Sequence, residues 1–443
     1  MMRRIALASL VLASGCATLQ ESQTDGISGD RMRITNQFPF DTAVCQTQAP
    51  ALPQPINQNV LVGAIFSTQP EVMECLADPK SRGNAKTTHV VVKATITDQG
   101  GTHAVSGENL TPEGQACIQK ALDTRVPLTA LPKGSRPVEY QTEFNHDQET
   151  GVSVKLGINS GSDLSGAVRL GQPSWCDCYA GFANKVPPSL KATVSVSAVT
   201  KPKAPSEQEQ DQALSGAQTA MLGQGKQGDA ASAKKAAEEA KKKAQTETTI
   251  TFDPAGTPEG DQLAACLQAK MMTLPATLDP NRTQLKFIYR FTHLNSRATQ
   301  PATDMPPELR FFQLDLMRGQ RSADAAIAIG GRDNAAAAYD AVVAEFGKLT
   351  DRKKQNALMP ELTNKCTALV AATQHIVDAT TTQLQVDQQS LALAQEIKAK
   401  DPSFAETETR IQEAVKATEQ DLANAQKRLQ EDQAICEKLK PKF

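Results

Sequence analysis

The chain has 443 residues, with 47 Lys and Arg against 49 Asp and Glu and a formal net charge of -2. That balance, with no basic patch interleaved with aromatics, argues against nucleic acid as a partner. Aromatics are 4% of residues, with one Trp and four Tyr, so the cores must be built from aliphatics, Ala and Phe.

In chain order, the first signal is an address. Arg3 and Arg4 give a positive start, residues 5–12 (IALASLVL) a short apolar run, and Ala13, Ser14 and Gly15 a small-residue approach to Cys16. The run is too short to span a bilayer and fits a removable signal peptide over residues 1–15. The segment resembles the bacterial lipobox, with Ala13 where that motif usually has Leu. The resemblance implies a lipidated Cys16, with palmitate among its acyl chains. Because Ala17 rather than Asp follows, it also implies the outer membrane, facing the periplasm or the cell surface. The other reading is an ordinary signal cleaved near an unrelated Cys. Residues 16–54 are expected to be a tether. No later apolar stretch approaches the ~20 residues needed to cross a membrane, so lipid is the expected membrane contact.

The chain then repeats itself. Residues 61–75 (LVGAIFSTQPEVMEC) and 164–178 (LSGAVRLGQPSWCDC) match at Leu61/Leu164, Gly63/Gly166, Ala64/Ala167, Gln69/Gln172, Pro70/Pro173 and Cys75/Cys178. Lys93-Ala-Thr-Ile matches Lys191-Ala-Thr-Val, and TPEG at 111–114 recurs at 257–260, before Cys117 and Cys266. Two tandem domains follow, 55–147 and 158–295. In the first, strands are expected at 60–66, 89–96, 102–106 and 138–144, with a hairpin turn at 98–101. A helix should start at Thr111 as N-cap with Pro112 in its first turn and run to about Arg125. The second domain carries a polar insert, 199–247, expected to be flexible with a transient helix at 230–245. Its Gly223-Gln-Gly225-Lys-Gln-Gly228 matches a dinucleotide fingerprint, but no strand precedes it and no apolar helix follows.

This strand–turn–strand, helix-with-Cys and closing-strand order resembles the carboxy-terminal domain of TonB-like proteins. The resemblance implies contact with another envelope protein, by strand addition at a sheet edge.

Residues 306–443 read as helical. Leu309, Phe312 and Leu316 suggest a short first helix and 323–349 a second, weakened by Gly330-Gly331. Long helices are expected at 352–400 and 402–439, with Asp401 as N-cap and Pro402 in the first turn. Ile411 and Thr418, and likewise Val415, Leu422, Leu429 and Cys436, recur every seven residues as a coiled-coil seam. A more polar stripe, including Cys366, Leu369, Thr373, Ile376 and Thr380, faces it in an antiparallel hairpin. The expected fold class is α+β: two tandem small β-β-α-β domains followed by an all-α antiparallel helical hairpin or bundle.

Setting Cys16 aside leaves eight of nine Cys. Repeat-matched positions predict Cys75–Cys117 and Cys178–Cys266, and elimination leaves Cys45–Cys176. Cys366 and Cys436 each lie 35 residues from Asp401, about 50 Å from the hairpin tip on both helices, so they should pair. No catalytic or metal-binding motif is found, and no cofactor is expected. His146 and His293 are read as equivalent repeat positions, either a ligand pair or inherited strand-end residues. The favoured function is a non-catalytic, lipid-anchored envelope adaptor or structural element. The alternative is an envelope enzyme or ligand-binding protein acting on cell-wall or polysaccharide material.

Overall fold

The computed structural model describes residues 33–46, 51–83, 85–147, 162–198, 246–276, 284–303 and 305–439. The chain is mixed α/β, with two small sheets and a long C-terminal helical region. Cys16 and the insert at 199–245, including its expected helix and glycine fingerprint, lie outside the described residues.

The first sheet unit begins with three helices, α1 (Gln58–Phe66), α2 (Gln69–Ala77) and α3 (Pro79–Arg82). The expected strand at 60–66 is therefore wrong. Its apolar run is buried from Val60 through Ile65, and periodicity cannot separate a buried strand from a buried helix. The Asn57 side chain decides it locally by accepting from the Val60 N–H at 3.1 Å, a helix N-cap. Next come β2 (Thr87–Thr97), β3 (Gly100–Glu108), α4 (Pro112–Arg125) and β4 (Val138–Asp147). Thr111 caps α4 by accepting from Gly114 N at 3.1 Å. The sheet order is β3-β2-β4, all antiparallel. Val90, Val92, Ala94 and Ile96 alternate inward from β2 and pack with Ile118 and Leu122 of α4.

The second sheet unit contains α5 (Ser162–Gly171), α6 (Cys176–Tyr179), β5 (Leu190–Ala198), β6 (Thr246–Phe252), α7 (Pro258–Met272) and β7 (Gln284–Leu294). Its fourth strand comes from the stretch expected to be a tether. β1 (Arg33–Asp41) pairs parallel with β7, giving the order β1-β7-β5-β6. Pro39 is tolerated because β1 is an edge strand. The register also corrects the histidine pairing. Ala94 faces Tyr140 and Ala192 faces Tyr289, so Phe144, and not His146, holds the station of His293.

The C-terminal region is α8 (Pro307–Lys348), α9 (Arg352–Lys400) and α10 (Ala405–Glu437). α8 is one helix of 42 residues, where two were expected. Gly330 does not break it. A Cβ there would lie 2.5 Å from Val60 Cγ2, so the glycine is the place where α1 crosses α8. Asp401 accepts from Ser403 N at 3.0 Å and starts the turn into α10. The seam of α10 runs through Ile411, Val415, Thr418, Ala425 and Asp432, all buried, with Leu422, Leu429 and Cys436 half-buried.

Candidate functional site

The four described cysteine pairs are those expected: Cys75–Cys117 and Cys178–Cys266 from matched positions, Cys45–Cys176 by elimination, and Cys366–Cys436 from its spacing about Asp401. Their Cα separations of 5.1, 5.8, 5.6 and 5.7 Å fall in the range a disulfide needs. Among the described residues, the one acid–thiol grouping close enough for a metal is Asp177, Cys178 and Cys266. The two sulfurs are bonded to each other and offer no thiolate. Asp177 is taken by Lys270 at 2.7 Å, whose hydrogen bond holds the carboxyl below its usual range.

The most developed recognition geometry is β1 against β7. Phe38 lies buried with its ring 4.8 Å from Tyr289 and 5.2 Å from Phe291, and Arg169 Cζ sits 5.3 Å from its centroid. Phe40 packs 5.3 Å from Tyr179. At the strand end Asp41 accepts from Ala43 N at 3.0 Å and Ser296 N at 3.1 Å, while Thr42 Oγ1 donates to Leu294 O at 2.9 Å. Cys45–Cys176 then pins the segment covalently. Beneath it, burial pushes the Tyr289 hydroxyl up to about 12 and raises that of Tyr179. Tyr289 pairs with Ser165 at 3.0 Å. His293 is spent between Tyr179 Oη at 3.3 Å and Pro188 O at 2.7 Å, so its role here is structural.

The outer edge of β4 in the first sheet is different. β4 pairs with β2 on one side and with no strand on the other among the described residues. Tyr140, at the station of Tyr289, is half-buried and 6.3 Å from the ring of Phe66, which is 38% exposed. Phe66 stands at the offset of Arg169 in the aligned segments. Phe66 and Tyr140 thus form an aromatic corner beside an edge that no strand covers among the described residues.

Glu71 joins the units. It accepts from Arg297 at 2.9 and 3.0 Å and from Arg125 Nε at 2.8 Å. Arg297 also donates to Ala43 O at 2.6 Å and Ser67 O at 2.7 Å, and Arg125 donates to Gln46 O. Nothing in the sequence pointed to this cluster, since Glu71 lies 54 and 226 residues from its two partners. The β1 segment carried a weak signal, the aromatic pair in Gln37-Phe-Pro-Phe40.

An open groove of about 470 Å³ between α8, α9 and residues 51–53 is lined by Arg321, Asp324, His375 and Asp378. Arg321 is committed to Asp324 at 3.0 Å and to Ala298 O at 2.7 Å, and the Thr382 hydroxyl in the lining donates to Asp378 O at 2.9 Å. No family model, no curated protein and no solved structure matches the chain.

Proposed function

We propose that the chain is a non-catalytic, lipid-anchored envelope protein, an adaptor that binds an extended segment of another envelope protein along the outer edge of β4. In this reading 55–147 and 158–295 are tandem copies of one domain, and β4 and β7 are the same strand in each. The observation that carries the reading is β1. The chain's own segment already lies on the β7 edge, with Phe38 in an aromatic slot, while no strand among the described residues covers the β4 edge. Main-chain pairing gives such a contact its affinity and the aromatic pocket its selectivity.

The test is a photo-crosslinking residue at Gln141 on β4, with Thr249 on β6 as the control position, in cells carrying the full chain. One discrete adduct from Gln141, absent at Thr249 and lost in a Tyr140→Asp chain, is expected. Equal labelling at both positions, or an adduct indifferent to Tyr140→Asp, removes the edge from the proposal. Anchoring is tested separately by Cys16→Ser. Two or more acyl chains hold a protein stably where one does not, so the variant should leave the membrane fraction and carry no palmitate. Retention of both would refute lipidation at that residue.

A further inference from the structure

We infer that the mature chain self-associates head to tail, with the α5 face of one copy docking on residues 337–344 of α8 in the next. The inference rests on the tandem-copy alignment of α1 with α5 and is independent of what binds β4.

Within one chain, α1 already seats on α8 with backbones nearly touching. A Cβ at Gly63 would lie 2.5 Å from Ala323 O and 2.8 Å from Ile327 Cγ1. Polar ties flank the crossing: Asn57 Nδ2 donates to Gly330 O at 2.7 Å and Asn59 Nδ2 to Asp333 Oδ2 at 3.0 Å. The row of α8 that receives α1 is therefore Ala323, Ile327, Gly330 and Asn334, spaced three and four apart as one helix face requires.

Both halves of that contact recur elsewhere, without a partner among the described residues. On α5, Gly166 and Ala167 stand at the stations of Gly63 and Ala64. A Cβ at Gly166 would meet nothing within 4 Å, and Leu170, one turn on, is 53% exposed. On α8, the receiving row continues as Ala337, Ala341 and Ala344, all exposed. The vacant surface on α8 is continuous with an interface already formed, and it accepts a helix with the Gly-Ala pattern that α5 shows. A second copy supplies that helix. Because the two patches differ, the contact is heterologous and propagates into chains or closes into a ring.

The experiment is sedimentation of the mature chain carrying Cys16→Ser, so that lipid does not drive association. The average mass should climb beyond two chains as concentration rises. Leu170→Arg and Ala341→Glu, both at exposed positions, should each return it to one chain with an unchanged circular dichroism spectrum. If either variant unfolds, Leu170→Ser or Ala344→Lys replaces it. The deciding arm mixes the two variants in equal amounts. Each retains the face the other lacks, so the mixture should form dimers and stop there. A parent that stays monomeric, a mixture that stays monomeric, or association that survives either variant overturns the proposal.

Discussion

Glu74 lies on α2 with Asp41 and Asp78 as its charged neighbours, and burial, helped by those two carboxylates, raises it from 4.5 to about 7. Burial also raises the carboxyl of Asp41. A carboxyl with a raised folded value binds its proton more tightly in the folded chain than in the unfolded one. The stability this contributes is complete below the unfolded value of 4.5 and is lost as pH rises through 7. A gap of that size is worth up to ~3 kcal/mol. The parent should therefore melt lower at pH 8.5 than at pH 5.5, and Glu74→Gln should lose most of that difference. Thermal melts at the two pH values decide it; equal pH dependence in parent and variant would refute the assignment. None of this was legible in the sequence, because the environment of Glu74 is assembled from α2 and a segment more than thirty residues earlier. The cysteines were legible, because matched sequence positions and helix rise each supply a ruler and elimination leaves the last pair.

At the scale of elements, the same contrast holds. The helical region was readable from its Asp401 turn and seven-residue seam, but the seam carries two polar layers of which the periodicity caught Thr373 and Thr418 and passed over Asp387, Asp432 and the α8 arginines. In one, Arg318 Nε donates to Asp387 at 2.7 Å and Thr418 Oγ1 donates to it at 2.8 Å. In the other, Arg332 donates to Asp432 at 3.1 Å and Thr373 Oγ1 at 2.6 Å. The arginines, the two α9 positions and the two α10 positions are each fourteen residues apart, two heptads. That spacing places the layers about 21 Å apart along the helices. Each layer draws one residue from α8, α9 and α10, which ties the register of all three. Asp432→Ala strands Arg332 and should cost ~3–5 kcal/mol. Replacing Arg332 and Asp432 by Leu together with Thr373→Val should cost far less, because no buried charge is left alone. Denaturant unfolding compares them; a triple variant as unstable as the single one would show that the layer holds the helices by more than charge satisfaction. The misread strand at 60–66 has the opposite cause, an apolar run with no polar positions to show its period.

For the whole molecule, Glu71 is the ion that laces the parts together. Arg125 belongs to the first sheet unit and Arg297 follows β7 of the second, and the backbone oxygens they also hold, Ala43 and Gln46, belong to the segment that continues from β1. Residues far apart in sequence thus share one carboxylate, which is 13% exposed beside an Arg125 side chain that is 6% exposed. Removing the carboxylate takes away the anion that Arg125 and Arg297 share and leaves the two guanidinium groups crowded together, a loss of ~3–5 kcal/mol by comparison with other broken buried pairs. The disulfides do not cover for it, because none of the four crosses from the first sheet unit to the second: Cys75–Cys117 closes within one, and Cys45–Cys176 and Cys178–Cys266 within the other. Glu71→Ala should therefore loosen the units from each other while each keeps its sheet. Small-angle scattering should show a larger radius of gyration, calorimetry should split or broaden the melting transition, and far-UV circular dichroism should be unchanged. An unaltered radius and a single transition at the parent's temperature would mean that the α1–α8 crossing and the remaining contacts, such as Arg297 to Ser67 O, hold the units together without Glu71.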